Sequence, residues 1–186
     1  MNCMKLVRTA FVFIMASVTL CTGLCAVSAG AHAPEAKLHG PYADTAKGLK
    51  QELKDMRDVA RRGRSDRLRA MVLDLDIPDA RAWYVANFGT QGLKTAEDYK
   101  KHLTASDHDF ESQMIEFARE DGYFSVKKQD AKRVFPSVIT TPELFLASWE
   151  STSADGEEHS DKPFGYFWFI DGKFRWDSTI AWITLD

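Results

Sequence analysis

The sequence predicts an α+β domain, with amino-terminal helices packed on a curved antiparallel sheet formed mainly by the carboxy-terminal half. Three observations carry this. Apolar residues recur at helical spacing between Leu49 and Phe117. After Gly122 the period changes to alternation. The run "FGYFWFIDGKFRW" then places Asp171-Gly172 between two aromatic stretches, and both residues accept the positive φ of a two-residue hairpin turn. Helices followed by strands, rather than interleaved with them, give the α+β order.

The elements follow in order. Met1 to Arg8 is a basic start and Thr9 to Leu20 an apolar run of signal-peptide length. Small side chains at Val27-Ser28-Ala29 predict cleavage after Ala29, with Ala33 as the alternative; an uncleaved membrane anchor is the rival. Residues 1–29 are thus read as a signal peptide, 30–44 as a flexible leader and 45–186 as a single domain. Cys3, Cys21 and Cys25 all lie in the first segment, so the mature chain has no disulfide, thiolate metal site or thiol nucleophile. A disulfide-free exported domain fits a bacterial periplasm or secretion.

The 186-residue chain has a net charge of −3, and removing Lys5 and Arg8 with the leader brings it near −5. That balance argues against nucleic acid as a partner. A membrane enters only if the leader is uncleaved.

Leu49, Leu53, Met56 and Val59 predict a helix over about 45–62, with charges of both signs on its other faces. Mixed charges of this kind read as a solvated face. Ser65 is placed to cap a second helix carrying Leu68, Met71, Val72 and Leu75. After the break at Asp76-Ile77-Pro78-Asp79, a short helix carries Trp83, Tyr84, Val85 and Phe88 and stops at Gly89. Thr95 to Asp98 resembles a capping box, opening a helix that reaches about Asp121 and is closed by Gly122. Strands are expected at Tyr123–Gln129, Glu143–Ser151, on both sides of Asp171-Gly172, and at Thr179–Leu185. Residues 152–162 read as an exposed acidic loop. In the hairpin, Phe164, Tyr166, Trp168 and Ile170 are expected on one face, Phe167 and Phe169 on the other.

Chemistry has few candidates. Asp98, His102 and Asp109 fall on one helical face at spacings of four and seven, a pattern an acid–base pair can use. His108 lies on a different face. Glu157, Glu158, His159 and Asp161 lack the spacing of a calcium loop, and "RRGRSDRLR" (61–69) reads as a solvated turn. There is no nucleophile elbow, phosphate loop or dinucleotide fingerprint. No metal or cofactor is expected. For binding, the candidates are Tyr99, Tyr166, Trp168, Trp176 and Trp182, which can stack a small apolar or aromatic ligand if they line a cavity, or form the sheet–helix core if they do not.

The three-helix opening, the stretch "DIPDARAWYVANFG" and the closing "GYFWFIDGKFRW" resemble the nuclear transport factor 2-like cone, and a group of uncharacterised exported bacterial proteins, over about 45–180. The resemblance implies helices leaning on a curved sheet around a pocket; it implies no particular reaction. The expectation is an exported, non-catalytic domain that binds a small molecule or a protein. The alternatives are a cone-fold isomerase or hydrolase using His102 with Asp98 or Asp109, and a homodimer formed through the sheet face.

Overall fold

A computed structural model describes residues 42–152 and 159–178. Helix α1 (Ala46–Arg61) follows the predicted stripe, burying Leu49, Leu53, Met56 and Val59. Thr45 caps it, its hydroxyl accepting from Gly48 N at 3.1 Å. Helix α2 (Ser65–Leu73) starts at Ser65 itself, so Ser65 is not its cap. Asp79, at φ 42°, caps α3 (Ala80–Phe88) through its carboxylate and the amide of Ala82. The long helix α4 (Gln91–Phe117) starts four residues before the expected Thr95. The Thr95 hydroxyl turns back to the carbonyl of Gln91, four residues earlier, so it lies inside the helix instead of capping it. Gly122 does not close this helix; it opens the first strand.

The sheet among the described residues comprises β1 (Gly122–Gln129), β2 (Glu143–Thr152), β3 (His159–Ile170) and β4 (Lys173–Asp177), in the order β1-β2-β3-β4 with every pair antiparallel. A one-turn helix, α5 (Ala131–Val134), lies between β1 and β2; four residues are too few for a periodic signal. Strand β3 begins at His159, inside the expected loop; residues 153–158 and the expected strand at 179–185 lie outside the described residues. At the β3–β4 turn Asp171 and Gly172 have φ of 51° and 78°, as a type I′ hairpin requires.

One facing was mispredicted. Pairing of β2 with β3 slips between Ala147 and Ser148, which oppose Gly165 and Pro163. The skipped residue, Phe164, therefore leaves the face of Tyr166 and Trp168. It packs with Phe110 at a ring separation of 4.7 Å and with Phe117 and Phe124. A β-bulge reverses the alternation on one side of it, and strand periodicity contains no sign of the slip.

Two apolar cores result. The first joins α1, α2 and the second half of α4 to Phe145, Trp149, Phe167, Phe174 and Trp176. The second joins α3, the start of α4 and α5 to Leu144, Trp168 and Ile170. Leu144 and Phe145, adjacent in β2, are both fully buried, as are Phe167 and Trp168 in β3. Successive strand residues face opposite ways, so both faces of the sheet are covered at these positions. Helix α4, about 40 Å long, serves both cores: Ala96 and Tyr99 belong to one, Phe110, Met114 and Phe117 to the other. Buried Ser106 and Asp107 mark the changeover. Among the described residues no helix is long and apolar enough to cross a membrane.

Candidate functional site

Asp98, His102 and Asp109 are all exposed on α4, turned away from buried Tyr99 and Asp107 of the same helix. Tyr99, Trp168 and Trp176 are 2%, 0% and 7% exposed, so they are core side chains in this arrangement. Tyr166 is half-buried against Phe135, and Trp182 lies outside the described residues. Among the described residues no group of His, Cys, Asp and Glu can hold a metal ion.

The structure does draw Tyr99 and Trp168 to one place, a polar centre at the junction of the two cores. Buried Asp177 at the end of β4 accepts from the Tyr84 hydroxyl at 3.0 Å and from the Trp168 indole at 2.6 Å. The Tyr99 hydroxyl accepts from the amide of Ile77 at 2.8 Å. Burial pushes that hydroxyl up, and Asp76, Asp177 and Asp107 add to the effect. Asp76 is half-buried in the α2–α3 connection, and its carboxyl is pushed up to about 7 by burial first and then by nearby Asp107. Asp107 is also raised, by burial, although Arg69 and Asp76 oppose this.

Nothing local in the sequence groups Asp76, Asp107 and Asp177. One signal was present: Asp107 is four residues after Leu103 and three before Phe110, on the apolar stripe of α4. A charge on that stripe has to be buried and partnered.

The second arrangement is an open groove between α1 and the start of β1. Lys50, Lys54, Arg57 and Arg61 succeed one another at four, three and four residues, one face of a helix, and line a groove of about 370 Å³ with Asp58 and Gly122–Phe124. Arg57 donates to the carbonyl of Gly122 at 2.6 Å, and its guanidinium lies 5.1 Å from the centre of the Trp149 ring. Burial, then Arg61, lowers the Arg57 pKa, while Asp58 and Asp121 oppose them. Lys50 stands over the exposed ring of Tyr123. That hydroxyl donates to Glu150, which raises its pKa. Among the described residues none of the four cations makes an ion pair. Arg61 also borders an adjoining hollow of about 270 Å³, lined by Ala60, Leu68, Ile115, Ala118 and Arg119 among others. In the sequence these cations belong to a face of mixed charge, which reads as solvated. It is β1, laid alongside α1, that makes a groove of that face.

No family model matches the chain, and no curated protein or solved structure matches it.

Proposed function

We propose that the chain is an exported, non-catalytic binding domain that takes a ligand with a phosphate or carboxylate group in the α1–β1 groove. The observation that carries this is the convergence of Lys50, Lys54, Arg57 and Arg61 on one concavity of a net-negative protein. Like charges gathered in a cleft focus their field on an incoming anion. A planar guanidinium, fixed by the Gly122 carbonyl and the Trp149 ring, suits an oxyanion. The apolar hollow across Arg61 suits a ligand with a short hydrocarbon portion next to its charged group. Export rests on the amino-terminal segment. The cone-like fold, with a curved sheet, belongs to the same proposal, and the bulge at Ala147/Ser148 supports it because a bulged strand bends.

Titration of the isotope-labelled protein with inorganic phosphate and with succinate, followed by amide shifts, tests the reading. Saturable shifts at Gly122, Tyr123 and Phe124 are expected. Lys50→Glu with Lys54→Glu should weaken binding at least about tenfold, roughly 1.4 kcal/mol, because two attractive charges become repulsive. Both residues are exposed, so the fold should persist. If neither anion produces saturable shifts, or if the double variant binds equally well, the groove is not the site.

A further inference from the structure

We infer that the anion taken by the α1–β1 groove belongs to a protein: an extended acidic peptide that adds as a strand to the outer edge of β1 and sets its carboxylates against the α1 cations. This rests on the anion-binding reading of the groove and names its ligand. Strand β1 stands last in the sheet order, with β2 on one side only. Every second residue of an edge strand turns its amide and carbonyl away from the sheet. Among the described residues the β1 backbone bonds to no backbone but that of β2. At the other edge Leu75 accepts from the amide of Trp176 at 2.9 Å, so the α2–α3 connection already holds part of β4.

The groove lies where the β1 edge begins. Gly122, Tyr123 and Phe124 form one wall, and Lys50, Lys54, Arg57 and Arg61 the other. Val126 and Lys128 follow Phe124 on the same face of the strand, and Lys128 is exposed. Positive charge thus lines both the groove and the edge beyond it. Asp58 and Asp121 near Arg57, and Glu143 on Lys128, offset it in part. Lys50, Lys54 and Arg61 have no ion pair among the described residues. An apolar strand, or the β1 edge of a second copy, would strip water from these cations without replacing it. Carboxylates do replace it.

A free anion meets the cations but leaves the outward groups of β1 to water. A peptide strand engages both. Along such a strand, side chains on one face repeat at about 6.7 Å. Cations four residues apart on α1 repeat at about 6 Å. Carboxylates at every second residue therefore run in step with Lys50 and Lys54, or with Arg57 and Arg61, while the backbone pairs with β1.

Titration and amide hydrogen exchange with the synthetic peptide TETETET test this. Bound peptide should slow exchange at every second amide from Tyr123 to Gln129, an alternation that succinate does not produce. The isomer TTEEETT carries the same charge but cannot turn all its carboxylates to one face, so it should bind about threefold more weakly or worse. Lys128→Gln should weaken TETETET by about threefold. It should leave succinate binding unchanged, because Lys128 stands about 13 Å along the strand from Phe124, beyond the screening length. Absence of the alternation, equal affinity for the two isomers, or an unchanged affinity in Lys128→Gln overturns the inference. Succinate shifts at Gly122, Tyr123 and Phe124 then show that the anion site itself stands; their absence overturns both.

Discussion

Gly172 and Gly165 are both constrained, by different physics. At Gly172 the backbone sits at φ 78° and nothing lies within 4 Å of where a Cβ would be, so the constraint is conformational. Gly172→Val should cost about 2 kcal/mol or more, since a β-branched side chain resists the left-handed region, and a thermal melt reads the loss. At Gly165 the constraint is contact: a Cβ would stand 2.5 Å from the Trp176 indole nitrogen. Gly165→Ala should therefore destabilise by forcing Trp176 to shift, and the near-ultraviolet circular dichroism of the tryptophans should change as well. An alanine variant with unchanged melting and spectrum would show that Trp176 gives way freely. The first constraint was legible in Asp171-Gly172, because a turn is written in adjacent residues. The second was not, because it depends on which residue β4 lays over Gly165. The polar centre was hidden for the same reason. Asp76, Asp107 and Asp177 meet only after a helix, a sheet and a loop have been placed.

For the elements, local capping decides how well boundaries could be read. Thr45, where the sequence starts the first helix, caps α1, and Thr45→Ala should cost about 1 kcal/mol, measured by denaturant unfolding; no change in midpoint would deny the cap a role. Helix α4 shows the opposite case. A capping-box pattern at Thr95–Asp98 was present, yet the helix starts at Gln91, because Gly89 ends α3 with a carbonyl that accepts from Gly92 and so begins the next turn. Propensity marks candidate starts, and the neighbouring chain chooses among them. In β3 the alternation reads correctly from Tyr166 to Ile170 and fails at Phe164, where the bulge intervenes. The α1 cations make the same point for function: their stripe is plain in the sequence, while the groove needs β1 beside it.

Across the whole molecule, α4 ties the two cores into one unit. Phe110→Ala in one core and Leu144→Ala in the other should each cost about 2–5 kcal/mol, from lost burial and a cavity. Both should lower a single transition seen alike by far- and near-ultraviolet circular dichroism. Separate transitions by the two probes would show that the cores melt independently. The strap between α2 and α3 has a further consequence. Leu75 takes the outward amide of Trp176, so that position of β4 is not open to another chain. At the opposite edge of the described sheet, β1 presents exposed Lys127 and Lys128. An incoming strand must bury those ammonium groups to pair there. A sheet this rich in aromatic residues is in this way guarded against edge-to-edge aggregation, by a backbone contact on one side and by charge on the other.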